Sequence, residues 1–342
     1  MPLSPSSPAM SFAKRHWRAI LFVAIATIGV ASLGSFYALA SQLAHPPRRA
    51  LQPYHQEFLH HPDQHGLRID SFTASDGTPV LVCSPDPDHP PGKRGKALRA
   101  QFAAEGVEIP AAGKCVGNLV LLHGRKGRKE DFLPIAERLC AVGFRCILPD
   151  LPGHGDNPTK DVTFGIQEAA IPQLVLAESA ERYQFDEEPV GLLGMSMGGS
   201  VAVHAAVLHD APWRTLVIIS SFDALAPTVE KQVAHRLGNS IGKLCLQGVA
   251  PIYEFQTGVP LDSIQPAALA ANLHLPTLIA HGAADNVIPI DSGRRLFDSL
   301  PESPEKTWIE IPDAGHDNVL ITDFPIYHAI ARWMLNRVPF KQ

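Results

Sequence analysis

The sequence predicts an α/β fold, a mostly parallel sheet of eight strands with helices on both faces. Three observations lead there. Short apolar runs of strand length alternate with longer helix-like stretches between residues 67 and 338, the pattern of parallel strands joined by crossover helices. The central runs are apolar at nearly every position, as strands buried on both faces require. A chain of 342 residues with 45% hydrophobic content can bury one large core and still carry an N-terminal appendage.

The elements follow in chain order. Runs 67–73 and 79–83 flank Ser75-Asp76-Gly77 and predict a β-hairpin. Residues 84–114 form an insertion that opens with Pro85, Pro87, Pro90 and Pro91 and continues into a helix-like stretch at 96–105. Strand 118–122 ends in His123-Gly124. A basic loop containing Arg125, Lys126, Arg128 and Lys129 then leads to a helix over 130–142. Strand 144–149 and helix 164–184 come next, followed by strands 189–193, 216–220, 276–281 and 307–311. Residues 222–270 leave this rhythm, and no internal repeat is present.

Chemistry concentrates at the ends of these strands. Gly194-Met195-Ser196-Met197-Gly198 joins an apolar strand to a stretch rich in helix formers. A serine at the apex of such a strand-to-helix turn has an exposed hydroxyl, and the following amide faces the substrate oxygen. Small residues two before and two after it keep strand and helix apart, a role that suits Gly194 and Gly198. A nucleophilic serine needs a base, and the base needs an acid to orient it. Asp285 falls in the loop after strand 276–281, and His316 in the loop after strand 307–311. Functional groups of open parallel sheets collect beyond the carboxyl ends of the strands, so Ser196, Asp285 and His316 can converge. Asp223, just after strand 216–220, is the rival acid. Backbone amides of Met197 and Arg125 are the expected oxyanion donors. The basic loop is read as a solvated tip in preference to an anion-attracting patch.

These pieces, taken together, resemble the α/β-hydrolases of the serine aminopeptidase and monoacylglycerol lipase type. The matching motifs are Leu-Leu-His-Gly at 121–124, Pro-Asp-Leu-Pro-Gly-His-Gly at 149–155, Gly-Met-Ser-Met-Gly at 194–198, His-Gly-Ala-Ala-Asp at 281–285 and Gly-His-Asp at 315–317. They stand in the family's order and cover residues 67–338. The stretch 253–270 is also similar to the membrane-anchored, short-capped branch of the superfamily. The resemblance implies an α/β-hydrolase fold, a Ser196–Asp285–His316 triad and a short cap over the site at 222–270. Phe222, Leu225, Leu244, Leu246, Ile252, Tyr253 and Phe255 make that region apolar enough to meet an acyl chain, although they could equally pack it onto the core. His123, Gly124, Phe222 and Tyr253 are the candidate substrate contacts. His123 and His154 sit in loop motifs and are read as shaping backbone more than moving protons.

Composition narrows the function. Net charge is −5 and the pI is near 6.3, which gives no case for nucleic-acid binding. There is no Cys-x-x-Cys pair, no His-Glu-x-x-His and no phosphate-binding loop, so neither a metal nor a cofactor is expected. Residues 19–40 carry no charge and follow Lys14, Arg15 and Arg18. That length suits a membrane-crossing helix. Residues 1–44 are therefore read as a cytoplasmic stub with an anchor or signal segment, and residues 45–66 as a linker. Ala38-Leu39-Ala40 also fits a signal-peptidase site, but the apolar stretch exceeds the usual signal core, which favours a retained anchor. Either way the catalytic domain lies outside the cytoplasm. In such a compartment a disulfide between Cys83 and Cys115 would pin the insertion, while Cys140 and Cys146 read as inert core residues.

The expected activity is hydrolysis of a carboxylic ester or thioester through an acyl-enzyme. The expected partner is a small-molecule or lipid-like acyl substrate. An aminopeptidase on the same triad and a catalytically silent binding protein are the alternatives.

Overall fold

The computed structural model describes residues 8–302, 305–320 and 326–338, with side chains from residue 16 onward. Residues 1–7 of the predicted stub and the side chains of Lys14 and Arg15 lie outside the described residues. A 37-residue helix, α1 (Pro8–Ala44), precedes the sheet-bearing body. After α2 (Pro53–His60), the hairpin β1 (Leu67–Thr73) and β2 (Pro79–Pro85) opens the sheet. Helix α3 (Lys93–Ala104) occupies the insertion. The alternation then runs β3 (Gly117–Leu122), α4 (Leu133–Ala141), β4 (Phe144–Pro149), α5 (Ile171–Tyr183), β5 (Val190–Met195), α6 (Met197–Ala206) and β6 (Trp213–Ile219). Helices α7 (Leu225–Leu237), α8 (Asn239–Thr257) and α9 (Pro266–Ala270) follow. The chain closes with β7 (Thr277–Gly282), α10 (Ile290–Asp298), β8 (Lys306–Ile311) and α11 (Ile326–Leu335).

Among the described residues the eight strands form one sheet in the order β1-β2-β4-β3-β5-β6-β7-β8. Only the β1–β2 and β2–β4 pairings are antiparallel. Side chains alternate between two buried layers, because successive residues of a strand point to opposite faces. Val120, Leu122, Ile147, Leu192, Ile218 and Ile279 pack with α5, α6 and α10. Leu119, Leu121, Leu148, Leu193, Val217 and Leu278 pack with α3, α4 and α11. Each such side chain contributes roughly 1.5–3 kcal/mol relative to exposure, which is why these runs read as continuously apolar.

Three sequence expectations need correction. Helix 164–184 starts only at Ile171, because Phe164 and Gly165 adopt positive φ and the Glu168 carboxylate accepts the Thr163 and Gly165 amides. The stretch 45–66 is not a free linker: α2 buries Phe58 and His55, and Tyr54, His55 and Arg49 all converge on Asp131. The five cysteines are free. Cys83 lies in register with Cys146 inside the sheet, and its carbonyl accepts from Cys140. Burial pushes the Cys83 and Cys140 thiols well up, so they are unreactive. The insertion is held instead by the Arg94–Glu137 ion pair and by Arg99 bonding to the Pro110 and Ala141 carbonyls.

Candidate active site

Ser196 stands between β5 and α6 with φ 53° and ψ −119°. A left-handed φ on a serine costs on the order of 1–3 kcal/mol, so the surroundings must impose it. Three hydrogen bonds do so. The Ser196 amide donates to the Ile219 carbonyl at 2.8 Å, and the Ser196 carbonyl accepts from Ser221 Oγ and the Gly199 amide at 2.8 and 2.9 Å. Ser221 was not singled out from sequence; a serine at a strand end carries no distinguishing signal. A Cβ at Gly194 would collide with the Gly198 carbonyl, and a Cβ at Gly198 with the Leu122 carbonyl. Both obstacles are backbone, which no rotamer change relieves. Gly198→Val is therefore expected to destabilise the protein by about 3 kcal/mol or more. A urea melt within 1 kcal/mol of wild type, on the usual ~1 kcal/mol scale of point mutants, would refute this packing.

Asp285 follows β7 and His316 follows β8, on loops at the same edge of the sheet as Ser196. Asp285 is buried, with Oδ1 accepting the Val287 and Ile288 amides at 2.9 and 2.8 Å. Its Oδ2 accepts from His316 Nδ1 at 2.8 Å. That bond assigns the proton to Nδ1 and leaves Nε2 as acceptor, 3.0 Å from Ser196 Oγ. The structure thus brings all three sequence-selected groups into one hydrogen-bonded chain. The rival Asp223 is engaged elsewhere, by Arg295 in a two-bond clamp and by Ser292. Burial pushes its carboxyl up, but the Arg295 guanidinium and the Ser292 hydroxyl outweigh it and hold the carboxyl below the usual range.

Gly124 lies against Ser196: a Cβ there would stand 3.2 Å from Ser196 Cβ. The Met197 amide heads α6, where first-turn N–H groups have no intrahelical acceptor. No acceptor for the Arg125 amide occurs among the described residues. The Arg125 side chain leaves the site, and its Nη2 donates to the Gln42 carbonyl at the end of α1, 2.6 Å away.

His123, Phe222 and Tyr253, the expected substrate contacts, are each engaged by their surroundings. His123 Nδ1–H donates to the Gly124 carbonyl and Nε2 accepts the Leu151 amide. Both ring nitrogens are occupied, so His123 braces the loop. Tyr253 is fully buried and donates to the Val162 carbonyl. Phe222 is 2% exposed and packs edge-on to Phe164. The basic loop is no solvated tip at its far end. Arg128 and Lys129 are buried with Glu130 and Asp150 in an ion-pair network that the exposed Asp156 closes from outside, with Lys129 Nζ 2.7 Å from Asp150. Among the described residues no His, Cys, Asp or Glu cluster could hold a metal ion.

Burial pushes the neighbouring His154 imidazole down to about 3 from an ordinary 6.5, with His123 adding to the effect. The native state resists a proton that the unfolded chain accepts. Its contribution is complete above pH 6.5 and is lost as pH falls from there toward 3. His123, His204 and His281 shift in the same direction, also through burial. Urea midpoints are expected to fall steadily below pH 6.5, and less steeply in His154→Gln. Equal slopes would contradict the assignment.

A model of the alpha/beta hydrolase family matches residues 119–327, more than half of the chain. A pimeloyl-[acyl-carrier protein] methyl ester esterase of Chromobacterium violaceum is 26% identical over 251 residues, covering 63% of this chain and 92% of the relative. A 3-hydroxybutyrate-oligomer hydrolase of Cupriavidus necator is 23% identical over 246 residues, covering 58% and 82%. An esterase of Pyrococcus furiosus superposes with TM-score 0.60 at 15% identity, covering 86% of this chain and 98% of that one. An acylaminoacyl peptidase of Pyrococcus horikoshii gives 0.54 at 14% identity, covering 81% and 42%. The two structures speak to the fold alone.

Proposed function

The chain belongs to the alpha/beta hydrolase family, and from that premise we propose that it is a serine hydrolase cleaving carboxylic esters or thioesters through an acyl-enzyme. One observation carries the reading, the continuous hydrogen-bonded chain from Ser196 Oγ through His316 to Asp285. In the proposed reaction His316 Nε2 takes the Ser196 proton as Oγ attacks the carbonyl carbon. Asp285 holds the tautomer and stabilises the imidazolium. The amides of Met197 and Arg125 receive the oxyanion. His316 then protonates the leaving group, and water attacks the acyl-enzyme by the same route in reverse. Relatives named as ester hydrolases support the bond type. The peptidase alternative needs a free acid to hold a substrate amine, and Asp223, the nearby candidate, is tied to Arg295.

Among the described residues one helix, within α1, is long and apolar enough to cross a membrane. We read it as an anchor that leaves the catalytic domain outside the cytoplasm, close to lipid-like acyl substrates. A panel of p-nitrophenyl esters of graded chain length beside aminoacyl-naphthylamides tests the bond type. Turnover of the esters is expected; faster cleavage of the naphthylamides would overturn the ester reading.

A further inference from the structure

The exposed apolar residues of the cap helices form a pattern. Ile241, Leu244, Gly248, Pro251 and Phe255 are spaced by three, four, three and four residues, which places them on one face of α8. Soluble helices turn such a stripe inward. Here Ile241 and Leu244 are 47% and 58% exposed, and Leu237, at the end of α7, is 60% exposed. Lys231, Arg236 and Lys243 are exposed cations on the same two helices, and no carboxylate partner for them is found among the described residues.

The contact with α1 fixes where this stripe points. Phe36 of α1 packs into the notch left by Gly248, where a Cβ would collide with its ring. Five residues further along α1, Ser41 Oγ accepts from Gln256 Nε2 at 2.7 Å. The two helices therefore run in the same direction. Ile241 lies seven residues before Gly248, about 10 Å further back along α1 at 1.5 Å per residue. This carries Leu237, Ile241 and Leu244 toward the stretch of α1 whose Phe22, Ile25 and Ile28 are exposed.

We propose that the α7–α8 apex is a second membrane contact, in which Leu237, Ile241 and Leu244 enter the bilayer beside α1. The occupant is lipid because the stripe is continuous with the apolar surface of the candidate span, and the exposed cations of α7 and α8 suit headgroup phosphates. The inference rests on reading α1 as a membrane helix. Two contacts fix the orientation of the domain, so that the cap stands between the lipid and Ser196.

The test uses full-length protein in vesicles of brominated-chain phosphatidylcholine, in a Trp17→Phe background. Tryptophan is introduced singly as Leu244→Trp, as Phe22→Trp on α1, and as Leu208→Trp in the loop just past α6. The proposal expects Leu244→Trp to be quenched at least about twofold more than Leu208→Trp, as burial at the acyl boundary requires. Quenching of Phe22→Trp alone would overturn the second contact and leave the anchor intact. Quenching of neither would overturn both. A variant with Leu237→Asp and Ile241→Asp should lose about tenfold in hydrolysis of a vesicle-borne ester and nothing on a soluble one. An unchanged ratio would also overturn the proposal. Absence of ester hydrolysis in the wild type would sink the proposed activity, while the quenching result would still decide the membrane contact.

Discussion

Ser196→Ala is expected to lower kcat on an activated ester by about a million-fold and to abolish labelling by a fluorophosphonate. The expectation follows from geometry. Ser196 is 8% exposed, sits at the apex of a strained turn and faces a base at 3.0 Å. Removing Oγ leaves His316 with nothing to deprotonate except water held by no comparable constraint. His316→Ala should cost about as much, and the double variant little more, because the two groups act as one unit. Both substitutions shorten side chains at the mouth of the sheet and leave Gly194, Gly198 and Ser221 to hold the turn, so thermal melts should stay near wild type. Independent, multiplicative losses would mean that the serine and the histidine do not share a proton.

The second large effect separates the two candidate acids. Asp285→Asn keeps the shape of the side chain and its capacity to accept the Val287 and Ile288 amides. It presents an amide to His316 and favours the wrong tautomer, with an expected loss of about 10⁴ in kcat. Asp223→Asn weakens the ion pair with Arg295, an interaction that takes no part in the hydrogen-bonded chain of Ser196, His316 and Asp285. Its kcat should stay within about threefold of wild type, the cost falling on stability instead. Parallel kcat measurements on the two variants decide the matter, and a larger loss from Asp223→Asn would reverse the roles.

Much of the fold was legible because burial on both faces forces a simple code. Parallel central strands such as β3 and β5 are apolar at nearly every position, Asn118 of β3 being an exception, and that signal survives without any alignment. The candidate site was legible for a related reason. Strand ends define where side chains can meet, so Ser196, Asp285 and His316 could be placed near one another from their positions after β5, β7 and β8. What stayed hidden depends on partners far away in sequence. Nothing local distinguishes Lys129 from Lys126, yet Asp150 buries one, and the other is exposed. Cys83 and Cys115 bracket an insertion in sequence, but strand register delivers Cys83 to Cys146. Tyr253 reads as a ligand contact only until Val162 takes its hydroxyl. The anchor segment reads as an independent appendage, whereas Ala40 and Ala44 belong to the core and Gln42 accepts from Arg125.

The central claim is that Ser196 is the nucleophile of an acyl-transfer site. Peptide mapping by mass spectrometry of the wild-type protein after fluorophosphonate treatment tests it most directly. The account predicts a single adduct, on the peptide that carries Ser196, appearing in step with loss of ester hydrolysis. An adduct on another residue accompanied by loss of activity, or full activity with Ser196 modified, would contradict it.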